Sequence, residues 1–154
     1  MTILNLTQHK ATPEQLQAGV VELPIDMKEQ LVSLLTFSSV PSKSDLESTA
    51  RSVAKLATDY NREFAVQKDF SNAQRAAFDL DLYAPGLNSF NNITMFKVMI
   101  GGAPFFMSYL EKALEQAKIT PVYAFSERVS VDVEKEDGSV VKTAVFKHLG
   151  FVGL

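Results

Sequence analysis

Apolar and polar positions along the chain change period several times, and each change marks a predicted element. Ile3-Leu4-Asn5-Leu6-Thr7 is short and apolar and predicts a strand close to the N-terminus. Thr12-Pro13-Glu14-Gln15 then carries the signs of a helix start: a threonine cap, proline in the first turn, and glutamine three residues after the cap. Gly19 predicts the end of that helix. Val20-Val21-Glu22-Leu23-Pro24 is a second strand candidate. Met27, Leu31, Leu34 and Leu35 recur at helical spacing and predict a helix over 26–35. After the break at Pro41-Ser42-Lys43-Ser44, with Ser42 or Ser44 as the cap, Leu46, Ala50, Val53, Ala54 and Ala57 mark the inner face of another helix ending near Tyr60.

From Asn61 to Phe96 the pattern predicts an irregular excursion, with a helical turn or two at Ala73–Phe78. Its later part mixes Pro85, Gly86 and asparagines with Leu80, Leu82, Tyr83 and Leu87, too apolar for a free linker, and reads as a lid or a dimer contact. Phe96-Lys97-Val98-Met99-Ile100 predicts a buried strand that runs into Gly101-Gly102-Ala103-Pro104. The following helix, from Pro104 to about Lys118, is expected to turn Phe105, Met107, Ser108, Leu110 and Leu114 inward. Pro121 to Phe125 is the next strand, and Ser130 to Lys147 alternates around Asp137-Gly138, the signature of a hairpin. This rhythm predicts an α/β, Rossmann-like fold: a mainly parallel sheet with helices on both faces and a C-terminal antiparallel β-hairpin. No GxGxxG occurs, which disfavours ordinary dinucleotide binding.

The length of 154 residues suits one α/β domain over 1–154, with the excursion at about 61–96 inside it. Fifteen lysines and arginines against 18 acids leave a net charge of −3, which argues against general nucleic-acid binding but permits a local basic pocket. The absence of cysteine excludes disulfides, a thiol nucleophile and a cysteine zinc site. No run of about 18 apolar residues predicts a membrane span. The first residues lack the basic-then-apolar order of a secretion signal, so the expectation is cytoplasmic. Two histidines lie far apart without clustered aspartates, and neither metal nor cofactor is expected.

In open α/β sheets ligands sit outside the carboxyl ends of the strands. Three such ends are polar or glycine-rich: Thr7-Gln8-His9, Gly101-Gly102-Ala103-Pro104 and Ser126-Glu127-Arg128. The two glycines let an anion approach backbone N–H groups at a helix start, or simply make a tight turn. A two-residue loop at Asp137-Gly138 would set Val129 opposite Phe146, Arg128 opposite Lys147, and Glu127 opposite His148. Two cations facing across a ladder favour an anion between them, and Glu127 beside His148 makes that histidine an acid or an electrostatic clamp. A one-residue bulge would dissolve both pairings. Ser126 lacks the GxSxG elbow of a hydrolase triad.

Leu4-Asn5-Leu6-Thr7-Gln8-His9 with Thr12-Pro13-Glu14-Gln15, Met99-Ile100-Gly101-Gly102-Ala103-Pro104, Tyr123-Ala124-Phe125-Ser126 and Phe146-Lys147-His148 resemble segments of a group of small, uncharacterised bacterial Rossmann-like proteins. The opening and the ending also resemble, more faintly, small CRISPR-associated proteins of the CARF-like and ring-nuclease-like kind. The second resemblance implies a cyclic oligonucleotide as ligand, and the first implies no activity.

The leading expectation is a small anionic ligand, a nucleotide or another phosphate-bearing molecule, held at the sheet edge. Thr7, Gln8, Gly101, Gly102, Glu127, Lys147 and His148 would bind it. Metal-independent phosphodiester cleavage would fall to His9, Ser126 and Arg128, which would position a ribose 2′-hydroxyl and stabilise developing charge. The alternative is a ligand-free interaction module, a homodimer, formed through Leu80–Phe96 or through a hairpin face of Val129, Val131, Val133 and Phe146. A metal-dependent transferase or hydrolase ranks last for want of ligands.

Overall fold

A computed structural model describes residues 2–78 and 96–153, with side chains through Glu63 and from Phe96 onward. β1 (Ile3–Asn5) is followed by α1 (Pro13–Gln17), β2 (Val20–Val21), α2 (Ile25–Leu35) and α3 (Lys43–Phe78). β3 (Lys97–Ile100), α4 (Pro104–Gln116), β4 (Thr120–Glu134) and β5 (Val140–Gly153) complete the order. The helix starts are built as their sequences dictate. The Gln15 N–H donates to the Thr12 hydroxyl at 3.3 Å while the Thr12 N–H donates to the Gln15 side chain at 3.0 Å. Ser42 caps α3 in the same way, exchanging bonds of 2.9 and 3.2 Å with Asp45.

The sheet has the order β2-β1-β3-β4-β5. β1, β2, β3 and β4 are parallel, and β5 returns antiparallel to β4. Because the chain moves one way from β1 to β2 and the other way from β1 to β3, right-handed crossovers put α1 on one face and the later helices on the other. Leu4, Leu6, Val98 and Ile100 pack beneath α2, α3 and α4, against Leu31, Val53, Ala57, Phe106, Leu110 and Leu114. Ile3, Val20, Met99 and Val122 form a smaller cluster on the α1 face, joined by Ala11 and Phe151.

Four expectations are corrected. The chain from Asn61 is not irregular as far as Phe78, because α3 continues through it; 79–95, with the leucines of the expected lid, lie outside the described residues. In α4 the inward residues are Phe106, Leu110, Ala113 and Leu114, whereas Phe105 is 53% exposed. Only the former set shares one face at 3.6 residues per turn. The last parallel strand and the first hairpin strand are one strand, β4.

The fourth concerns register. The Lys135 N–H donates to the Ser139 carbonyl at 2.8 Å, and the Gly138 N–H to the Lys135 carbonyl at 2.9 Å. The loop is therefore three residues long, with Gly138 at φ 81° in the left-handed region that closes such a turn. One extra loop residue shifts every rung by one as far as Ser126–His148, beyond which a bulge between Phe125 and Ser126 reverses the shift. Arg128 faces Phe146 rather than Lys147, Glu127 faces Lys147, His148 faces Ser126, and Val129 faces Val145 rather than Phe146. The opposed cations and the Glu127–His148 pair are thereby removed.

Candidate functional site

The chain order reverses between β1 and β3, and the carboxyl ends of these two strands stand level, the Leu6 N–H donating to the Met99 carbonyl at 2.9 Å. Such a switch point opens a crevice above the sheet. A cavity of about 350 Å³ lies there, lined by Thr7, Gln8, His9 and Lys10 after β1, Thr12 and Gln15 of the α1 start, Gly101 and Gly102 after β3, and Tyr123 and Ala124 of β4. Among the described residues its lining includes one lysine, one histidine and no carboxylate.

The loop from Thr7 to Ala11 is held by a polar network beneath it. Asn5, with no exposed surface, sits on the α1 face of β1. Its carbonyl oxygen accepts the Thr7 N–H at 2.9 Å and the Thr7 hydroxyl at 2.8 Å. Its amide donates to the His9 carbonyl and to Glu22 Oε1, each at 2.9 Å. Glu22 Oε1 also accepts the Ala11 N–H at 2.6 Å, and Oε2 pairs with Lys28 at 3.2 Å. Lys28 spends its other two donors on the carbonyls of Thr7, at 2.8 Å, and His9, at 3.1 Å. Burial works against the charge on Glu22, yet the Ala11 and Asn5 hydrogen bonds and the Lys28 charge outweigh it and hold the carboxyl below its usual range. With every polar group engaged, the network fixes the loop before any ligand arrives.

Opposite this loop, Gly102 lies at φ 138°, a conformation L side chains rarely adopt. α4 begins next, with Ala103 as a cap lacking a side-chain bond and with no acidic residue in the first turn. The positive end of a 13-residue helix thus stands beside the glycines with no carboxylate of its own. Tyr123 donates to Glu111 Oε1 at 2.5 Å. Burial, then that bond and the charge behind it, push the phenol well above its usual range, so Tyr123 stays protonated.

Of the residues named from sequence, Thr7, Gln8, His9, Gly101 and Gly102 line the cavity. Gln8 also reaches the Thr36 hydroxyl at 3.3 Å. Ser126 and Arg128 follow Ala124 at intervals of two on β4 and so share its α1 face, beyond the cavity rim. His148 joins them as the partner of Ser126. Its ring packs against Phe151 at 4.7 Å with the two planes tilted by 59°, and neither buried ring nitrogen finds a hydrogen-bond partner among the described residues. Glu14, held low mainly by a backbone hydrogen bond and by Thr12, also feels His148. Glu127 and Lys147 project from the opposite face. The sequence reading missed Asn5, Glu22, Lys28 and Lys10. Asn5 carried the one available signal, a polar side chain inside an apolar strand.

A larger hollow of about 580 Å³ beside Phe37, Val40, Pro41, Leu46 and Phe105 has no charged lining residue with which to orient an ion. Among the described residues no group of three or more histidines, aspartates or glutamates is placed to hold a metal, and no helix is long and apolar enough to cross a membrane.

The family described as Uncharacterized protein MJ1673 family matches residues 1–152, and the chain belongs to it. No curated protein and no solved structure matches the chain.

Proposed function

We propose that this member of an uncharacterised family binds a small phosphate-bearing ligand, of the nucleotide class, in the cavity between the ends of β1 and β3. The observation that carries the reading is the cavity's composition: Lys10, His9, two glycines and a helix start without its own acid, and no carboxylate among the described residues of the lining. The prearranged Thr7–Ala11 loop supports it, since a rigid loop loses little entropy on binding. Lys10 supplies the charge-assisted contact, Gly101 and Gly102 the close backbone approach, and Gln8 and Thr7 the discrimination. The volume of about 350 Å³ sits at the lower end of small-molecule sites and suits one nucleotide unit.

Phosphodiester cleavage is the narrower version of this reading, and a cyclic oligonucleotide, as in the CARF-like resemblance, its narrowest substrate. In it His9 takes the proton from a ribose 2′-hydroxyl, the 2′-oxygen attacks phosphorus, and the 5′-oxygen leaves with a proton to give a 2′,3′-cyclic phosphate. Of the three residues assigned to this chemistry only His9 lines the cavity. Ser126 and Arg128 enter it only with a ligand that continues along β4. Binding is therefore the part the geometry supports best.

Thermal unfolding in the presence of mononucleotides, cyclic oligonucleotides, sugar phosphates and inorganic phosphate tests the reading. One class at about a hundred times its Kd adds roughly 2.7 kcal/mol, a shift of several degrees at this size. Lys10→Ala should weaken that ligand by about 1.5–3 kcal/mol in titration. A flat response across the panel overturns the proposal. A loss on Arg128→Ala as well would report a ligand longer than one nucleotide.

A further inference from the structure

From the rung that pairs Ser126 with His148, β4 and β5 leave the sheet as a two-stranded arm ending at Glu134 and Val140, nine rungs long, or about 26 Å at the rise of a strand. The corrected register sorts its side chains cleanly. One face carries Ser126, Arg128, Ser130 and Asp132 opposite His148, Phe146, Ala144 and Lys142. The other carries Val129, Val131 and Val133 opposite Val145, Thr143 and Val141, so its centre is entirely β-branched. On that face Val131, Val133, Val141 and Val145 are 38–46% exposed.

We propose that this valine face is a homodimer interface, packed against the same face of a second copy about a two-fold axis near the rung of Val131 and Thr143. A two-stranded ribbon is at best marginally stable alone in water, so the face needs a cover whenever the arm is formed. Its centre has no charge; Glu127 and Lys147 flank it at the base and Lys135 at the tip. Self-pairing therefore buries no ion and sets no like charges in contact at the middle. The face is made of branched side chains of similar size, with no charged group at its centre. It fits a second ribbon of the same twist at about 10 Å, as in face-to-face sheet packing. With Phe125, 56% exposed on the same side, the patch amounts to roughly 400–500 Å² per chain. Two such patches total about 800–1,000 Å², at the small end of specific interfaces. The proposal is independent of the ligand reading, because the valines project from the face opposite Ser126 and Ala124.

The chain has no cysteine, so an engineered one is unique. Light scattering over a dilution series of the full chain should give twice 17.0 kDa at micromolar concentration. Val131→Cys, on the axis, should cross-link to its own copy on mild oxidation, while Ser130→Cys, on the other face, should not. Val131→Glu should raise the dimer Kd more than about a hundredfold, since each copy then brings an unpaired carboxylate into a dry face, whereas Val131→Ile keeps the dimer. Circular dichroism checks that each variant folds, and where Val131→Glu does not, the cysteine pair decides. A mass of 17.0 kDa at every soluble concentration overturns the proposal. So does equal cross-linking at Ser130 and Val131, which would mean edge-to-edge pairing or random contact.

Discussion

Asn5 is the residue on which the candidate site turns. All four of its polar contacts are made inside the protein, to Thr7, His9 and Glu22, and it has no exposed surface. Replacing it with alanine leaves the Thr7 N–H, the His9 carbonyl and a Glu22 oxygen short of a partner in a space water enters poorly. Asn5→Ala should cost about 2–4 kcal/mol in denaturant unfolding and also weaken any ligand that uses the Thr7–Lys10 backbone. Glu22 adds a pH signature. Its folded pKa lies below the ordinary value of 4.5, so its stabilising contribution is complete above that value and is lost as pH falls through the folded pKa. Wild type should lose more stability than Glu22→Gln between about pH 5 and pH 3; parallel curves in thermal unfolding would remove Glu22 from the network. At this scale the sequence pointed to the loop that lines the cavity and missed what holds it. Thr7, Gln8 and His9 are adjacent in the chain, but Glu22 and Lys28 meet Asn5 only after the chain has crossed to β2 and come back.

Among elements, the C-terminal hairpin shows how much one residue decides. Asp137-Gly138 announced a turn correctly, but a two-residue loop needs positive φ at Asp137 as well as at Gly138, and Asp137 does not adopt it, a choice the dipeptide does not state. That single residue determined whether Phe146 or Val145 faces Val129, and so which side of the arm is apolar. α4 makes a similar point through packing. Phe105 and Phe106 are neighbours of identical chemistry, one 53% exposed and the other fully buried. Phe106→Ala should cost about 3–5 kcal/mol, and Phe105→Ala, whose half-exposed ring meets Phe37 edge-on at 5.3 Å, less than about 1.5 kcal/mol. Equal losses in chemical unfolding would contradict the burial pattern. α3 was legible over its amphipathic first half, where Leu46, Val53 and Ala57 meet the core, and not past Tyr60, where the stripe of small apolar residues ends.

For the whole molecule, the order β2-β1-β3-β4-β5 places the cavity and the arm at the same edge of the sheet but on different faces. The two proposals therefore separate in one experiment. If the arm joins two copies, the unfolding temperature rises with protein concentration, because mass action stabilises the associated state; a ligand in the cavity shifts it further at every concentration. A temperature independent of concentration would speak against the dimer and leave the ligand reading untouched. Alternation of short strands with amphipathic stretches, helix caps and Gly-Gly at a strand end were enough to determine an α/β sheet with a ligand-sized edge, because each is a local property of neighbouring residues. Which residues stand under the Thr7–Ala11 loop, and which face of the arm is bare, were decided only by the tertiary structure. Hydrogen bonds between Asn5, Glu22 and Lys28, and a register shift carried through nine rungs, follow from where distant segments come to lie.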